Sequence, residues 1–298
     1  MSVSVPTSSS TFARTLLVGQ IDELRAADAD VHAGGTDAIH AVRVAARRLR
    51  STLTSYRTLL PSTEARRLTD ELRWLGAALS PARDAQVMRD RLLGALADMP
   101  DDLVVGLVGE RIRAALDADA RLGQEGAAEA LSSPRYTRLL GDLDALAEAG
   151  PPSSMRTRSA ARAARRALRA DVRLVRRALR ATRPKALATD PDVALHEARK
   201  KAKRLHYSAE SAALVLGRPA DELAAAAHGV QDLLGEHQDS VVARRHLLRL
   251  AQEARAAGDD TFTLGILHAR EQATARTDAS TTRAAWRHIA RAARRIKP

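Results

Sequence analysis

The chain has 298 residues and 32.1 kDa, with 48 Lys and Arg against 36 Asp and Glu, a formal net charge of +12. Its 45% hydrophobic content is enough for a packed core, and the absence of cysteine excludes disulfide scaffolds, zinc ribbons, iron–sulfur clusters and thiol nucleophiles. No apolar run approaches the roughly 18 residues of a membrane span, and residues 1–17 lack a secretory apolar segment, so a cytoplasmic protein is expected.

In chain order, residues 1–11 read as a flexible Ser/Thr-rich N-terminus. From residue 12 onward, apolar residues recur at three- and four-residue spacing and Ala, Leu and Arg dominate, which predicts ten or more helices and no strands. Breaks are expected at Gly34-Gly35, Pro61-Ser62, Ser80-Pro81, Pro100-Asp101, Ser132 to Pro134, Gly150 to Ser154, Pro184 to Pro191, Gly217 to Pro219 and Gly258-Asp259. Ser62, Ser80, Ser133 and Asp192 stand where N-caps belong, with Pro81 and Pro134 at the tolerated first helical position. Residues 151–154 read as a linker between a first half, 12–150, and a second half, 155–298.

The two halves resemble each other. His40-Ala-Val-Arg43-Val-Ala-Ala-Arg47-Arg48-Leu49 aligns without gaps on His196-Glu-Ala-Arg199-Lys-Lys-Ala-Lys203-Arg204-Leu205. Farther on, Leu79 to Asp84 corresponds to Leu234 to Asp239, so the His-to-Asp separations are 44 and 43 residues. Two landmarks in one order at nearly one spacing predict a duplicated helical unit, its copies packed about a pseudo-twofold axis.

On a wheel of about 100° per residue, Arg43, Arg47 and Arg50 fall within roughly 80° of His40, while Val42, Ala45, Leu49, Leu53 and Tyr56 gather opposite. In the second copy His196, Arg199, Lys203 and His206 share the polar face, with Ala198, Ala202, Leu205 and Ala209 on the apolar one. At a rise of 1.5 Å per residue the stripe from His40 to Arg50 is about 15 Å long, too long for one phosphate but suited to an extended anion. Arginine forks give phosphate two parallel hydrogen bonds and keep their charge. The competing reading pairs these cations with acids of neighbouring helices such as Asp70, Glu71 or Asp232. His40 and His196 read as anion contacts or as structural residues. A metal site is the weakest reading, because the second histidine of a zincin motif is missing. Asp84 and Asp239 either orient a neighbouring cation or favour a helix N-terminus, and the expected cap at Ser80 would suffice for Asp84.

The second half concentrates the charge. Residues 1–154 carry 18 basic and 21 acidic residues, and residues 155–298 carry 30 and 15. Arg162, Arg165, Arg169, Arg173, Arg176 and Arg180 form one helical stripe about 27 Å long. Arg283, Arg287, Arg291 and Arg294 form another at the C-terminus. Charge so dense calls for a polyanionic partner. The apolar faces of these helices are mostly alanine, too weak for membrane insertion.

These blocks resemble the twin signature helices of the CHAD family. The first runs His40-x-x-Arg43-x-x-x-Arg47-Arg48-Leu49-Arg50, and the second His196-x-x-Arg199-Lys200-x-x-Lys203-Arg204-Leu205. Arg73-Trp74-Leu75-Gly76 with Ala82-Arg83-Asp84, and Gln231 to Gly235 with Asp239, resemble its second landmark in each half. The resemblance, from about Phe12 to the C-terminus, implies two helical bundles related by pseudo-twofold symmetry with a basic cavity or groove between them. It also implies binding of inorganic polyphosphate and targeting to polyphosphate granules, without catalysis or cofactor. The implied contacts are His40, Arg43, Arg47, Arg48, Arg50, His196, Arg199, Lys200, Lys203 and Arg204. Charge and periodicity extend them to Arg162, Arg165, Arg169, Arg173, Arg287 and Arg291. Two departures, Gln238 at the position of Arg83 and His206 at that of Arg50, predict unequal halves. The alternative partner is nucleic acid bound without sequence preference, but with 2% aromatic residues the chain has little material for base stacking. A phosphohydrolase would need metal-holding carboxylates that the stripes lack.

Overall fold

The computed structural model describes residues 5–33, 38–149, 159–182, 190–274 and 279–296, with side chains from 281 in the last segment. These residues form an all-α fold of ten helices: α1 (Ser9–His32), α2 (Ala38–Ser55), α3 (Ser62–Ala97), α4 (Val108–Ser132), α5 (Pro134–Ala149), α6 (Ala160–Ala181), α7 (Pro191–Leu216), α8 (Arg218–Ala256), α9 (Phe262–Thr274) and α10 (Ala279–Arg295). The predicted break at Gly34-Gly35, the linker at 151–154, and residues 184–189 of the break expected before α7 lie outside the described residues.

Most punctuation acts as its chemistry dictates. Ser133 caps α5, its hydroxyl accepting from the Tyr136 amide at 3.2 Å, with Pro134 in the first helical position. Gly217 turns the chain from α7 into α8 at φ 59°, a left-handed conformation that a side chain would oppose. Three expectations need correction. Residues 9–11 are the first turn of α1, not part of a flexible N-terminus: Ser9 is buried and the Ser8 hydroxyl accepts from the Thr11 amide at 3.1 Å. The caps of α3 and α7 are Pro61 and Asp190 rather than Ser62 and Asp192; the Asp190 carboxylate accepts from the Asp192 amide at 2.9 Å. Most consequentially, Ser80-Pro81 does not start a helix. The helix α3 runs through it unbroken, and the Ser80 hydroxyl bonds back to the Gly76 carbonyl at 2.9 Å.

The repeated blocks occupy equivalent elements, α2 with α3 and α7 with α8. Arg43 of α2 meets Asp84 of α3, and nearer the end of α2 Arg50 faces Arg73, so these helices run antiparallel. In the second copy His196 meets Gln238, Arg199 lies against Gly235 and His206 meets Ala224, again antiparallel and at nearly the same register. The apolar faces read from the wheel are buried in both: Val42, Ala45, Leu49, Leu53 and Tyr56 in the first copy, and Ala198, Ala202, Leu205 and Ala209 in α7.

One continuous core crosses both halves, drawing on α1 to α8 and α10. Phe12 and Tyr56 stack edge-on within it at 5.3 Å, and the Tyr56 hydroxyl donates to the Ser208 carbonyl at 2.8 Å, tying the end of α2 to α7. A second apolar cluster, including Met88, Leu92, Ile112, Leu116, Leu247 and Leu264, joins α3 and α4 to α8 and α9.

A candidate polyanion-binding cleft

The apolar faces of α2 and α7 are committed to the core, which leaves their cations on the remaining faces. Lys203 of α7 stands where the two stripes approach each other. Burial, followed by the charges of Arg47, Arg199, Arg43 and Arg50, pushes its ammonium from the ordinary 10.5 down to about 7. Three of those four arginines come from α2 and one from α7, so the two stripes converge. Arg47 and Arg50 are likewise held below the usual guanidinium range, chiefly by burial, with Tyr207 beside Arg47 opposing the shift. Among the described residues no carboxylate lies within 4.0 Å of Arg47, Arg50, Arg199 or Lys203. Of the acids that could have neutralised the stripes, Glu71 is engaged with Arg135 and Asp232 with His228, while Asp70 pairs with Arg73 of α3, beside the Arg50 end.

The two ends of the cleft differ. At the Arg50 end Arg73 adds its charge from α3, and cations dominate. At the other end Arg43 donates to Asp84 at 3.0 Å and to Ser80 at 3.4 Å. The helix-dipole reading of Asp84 therefore falls with the expected break at Ser80-Pro81; this carboxylate lies within α3 and orients an arginine. In the second copy Gly235 replaces Ser80, and Arg199 gains no such hydrogen bond. Asp239 is half-buried, which raises its carboxyl above the usual range despite Arg199 and Arg91, with Glu236 and Asp84 adding to the rise. The two departures in the repeat also find physical roles. Gln238 accepts from His196 at 2.8 Å, and His206 donates to the Ala224 carbonyl at 3.1 Å. His40 lies half-buried at the start of the α2 stripe.

Not every residue of the signature joins the cluster. Arg48 pairs with Glu23 at 3.4 Å and Glu210 at 3.7 Å, its guanidinium over the Tyr207 ring. Lys200 pairs with Glu197 at 2.6 Å on its own helix. Arg204 turns into the interior, where it meets the buried Asp171 at 2.6 Å and the Ser55 hydroxyl at 3.1 Å. Arg162, Arg165, Arg169 and Arg173 lie on α6 and Arg287 and Arg291 on α10, away from this cleft. Sequence reasoning misses Arg73 and Tyr207 as site residues. Arg73 had a signal, since it stands 11 residues, three helical turns, before Asp84 on the same face. Tyr207 had none, because the first copy has Ser51 there.

Volume alone would misplace the site. A cavity of about 680 Å³ lies between the start of α4 and the end of α8, lined by Glu110, Glu253, Asp259 and Asp260, with Arg111 paired to Asp259. Its acidic lining repels a polyanion. Among the described residues no helix is long and apolar enough to cross a membrane, and no three His, Asp or Glu are grouped to hold a metal ion.

Comparison with known proteins bears on this arrangement. The CHAD domain profile matches residues 15–248. Two uncharacterized proteins of Mycobacterium tuberculosis, from strains CDC 1551 / Oshkosh and ATCC 25618 / H37Rv, are each 38% identical over 288 residues, covering 93% of this chain and 53% of theirs. The chain thus spans about half the length of the curated relatives it matches. Among solved structures, the CHAD domain of the plant Ricinus communis superposes with a TM-score of 0.72 at 26% identity, over 96% of this chain and 94% of that one. PptA from Streptomyces chartreusis shares the fold, with a TM-score of 0.74 at 21% identity over 96% of this chain and 99% of that one.

Proposed function

The chain belongs to the CHAD family, and on that premise we propose that it binds inorganic polyphosphate, without catalysis, in the cleft between α2 and α7. The observation that carries this reading is the half-buried position of Lys203 among four arginines of both repeats, of which only Arg43 meets a carboxylate, Asp84. Such a cluster repels itself, and a chain of phosphates threading past Arg47, Arg50, Arg199 and Lys203 relieves the repulsion while releasing its own counterions. His40, Arg43 and His196 extend the contact along the cleft. Retention at polyphosphate granules belongs to the same proposal, because a surface of condensed phosphate is the ligand at high local concentration. Nucleic acid is the competing partner, and the same charges would attract it. The cleft offers Tyr207 as an aromatic, but its ring is buried and unavailable for stacking bases.

Exchange of Arg43, Arg47, Arg199 and Lys203 for Glu tests the reading. Retention on immobilised polyphosphate is expected to weaken sharply, with helical circular dichroism preserved. The wild-type affinity is expected to fall steeply with added salt and to survive competition by duplex DNA at near-physiological ionic strength. Undiminished retention by the variant, or displacement by DNA in preference to polyphosphate, overturns it.

A further inference from the structure

The cleft leaves most of the chain's arginine unused. Helix α6 carries eight arginines and one acid, Asp171, and α10 carries five arginines and no acid. Asp171 is 1% exposed and faces inward, accepting from Ser55 at 2.7 Å and Ser208 at 2.8 Å and pairing with Arg204. At about 100° per residue, all eight arginines of α6 fall within roughly 60° of the direction opposite Asp171. Seven of them are exposed and Arg165 is half-buried. Among the described residues none of the eight lies within 4.0 Å of a carboxylate, and on α10 only Arg295 does, with Glu222.

This surface is continuous and separate from the cleft. Helix α10 lies alongside α6, where Arg176 rests over the Trp286 ring at 5.8 Å, and Arg176, Arg180, Arg283 and Trp286 line a recess of about 70 Å³. The inner side of α6 meets α7 through Asp171 and Arg204, whereas Lys203 and Arg199 leave α7 on another side. The outer arginines therefore lie on the side of α6 turned away from its packing against α7. None of them is among the leading charges that depress Lys203, which are Arg47, Arg199, Arg43 and Arg50.

We propose that the outer face of α6 and α10 is a second, independent binding site for a condensed phosphate chain, which makes each protein molecule bivalent and able to bridge two such chains. The inference rests on the function proposed for the cleft. The ligand follows from complementarity. A straight column of arginines about 27 Å long, flanked by a second column and free of acids, matches a linear polyanion of uniform charge. Only one partly exposed aromatic offers itself to bases, and the apolar residues of α6 are turned inward, so neither base stacking nor lipid insertion has material to work with.

Arg162, Arg169, Arg173 and Arg176 changed together to Gln test the site. A control with the same charge loss changes Arg113, Arg121, Arg138 and Arg255, which are exposed on other helices. Calorimetric titration with polyphosphate too short to reach both faces is expected to show two equivalents for wild type and control but one for the α6 variant. Long polyphosphate is expected to cross-link wild type and control into light-scattering particles and to leave the α6 variant clear. Two equivalents and undiminished scattering in the α6 variant overturn the second site while leaving the cleft intact. If instead the cleft variant keeps both equivalents while the α6 variant keeps one, the function proposed for the cleft has failed and the second equivalent lies elsewhere. Loss of binding to anionic vesicles or duplex DNA by the α6 variant, with polyphosphate stoichiometry unchanged, also overturns the proposal.

Discussion

Lys203 is where the cost of assembling the cleft can be read. Its ammonium loses a proton near pH 7 in the folded chain, against 10.5 ordinarily, because burial and four guanidiniums disfavour the charged form. The sign follows from linkage: between about 7 and 10.5 the unfolded chain holds the proton that the folded chain has released, so stability rises with pH through that window. Denaturant titrations at about pH 7 and about pH 10 are expected to show a gain for wild type that Lys203→Met lacks. Parallel profiles would mean that the amine titrates normally. A polyanion in the cleft reverses the field, so its binding near pH 8 is expected to draw about one proton per complex into wild type and none into the variant. Calorimetry in buffers of different ionisation enthalpy measures this. The residues at stake were legible from helical period alone, since His40, Arg43, Arg47 and Arg50 share one face by spacing. What spacing withheld was partnership. Arg48 and Arg204 sit within the same motifs, yet Glu23, Glu210 and Asp171 reach them from other helices, and no local pattern announces which acid will do so.

Among the elements, α3 departs most from its sequence reading. A proline preceded by serine is the usual signature of a helix start, yet here the helix passes through it. An interior proline removes one backbone hydrogen bond and costs about 3 kcal/mol in an ordinary helix, so packing must compensate. Part of the compensation lies on α4, where Gly123 brings its backbone against the chain at Pro81. A Cβ on Gly123 would lie 2.3 Å from the Ala82 amide nitrogen and 2.8 Å from the Pro81 carbonyl carbon. Backbone atoms cannot yield as a flexible side chain would. Gly123→Ala is therefore expected to destabilise by about 1–3 kcal/mol, as overpacking does. Gly126, nearly one turn along α4, has nothing within 4 Å of the same position, and Gly126→Ala is expected to gain up to about 1 kcal/mol of helix propensity. Opposite signs in paired urea denaturations support the close contact; equal gains exclude it. The break was misread because serine and proline carry the same local signal in both settings. What decides is a glycine on another helix.

At the scale of the whole molecule, the sequence duplication suggests two bundles, but the buried groups are shared. Asp171 of the second half gathers Ser55 from the first half together with Ser208 and Arg204, and the Tyr56 hydroxyl reaches the Ser208 carbonyl beside them. The apolar core is likewise continuous across the halves, so neither is expected to hold its structure after the other has unfolded. This node separates a structural from a ligand-binding role for Arg204. Arg204→Ala leaves an unpaired carboxylate at 1% exposure, a change that typically costs about 3–5 kcal/mol, roughly the difference between folded and marginal for a domain. Asp171→Leu combined with Arg204→Met removes both charges and is expected to recover most of that loss. Both variants should unfold in a single transition by circular dichroism and by tryptophan fluorescence, since Trp74 and Trp286 report from opposite halves against one core. Retention of polyphosphate by the double variant would assign Arg204 to the frame that holds α6, α7 and α2 in place. A loss of polyphosphate binding with stability unchanged in Arg204→Ala would return it to the cleft, and separate transitions for the two tryptophans would mean that the two bundles unfold independently despite their shared core.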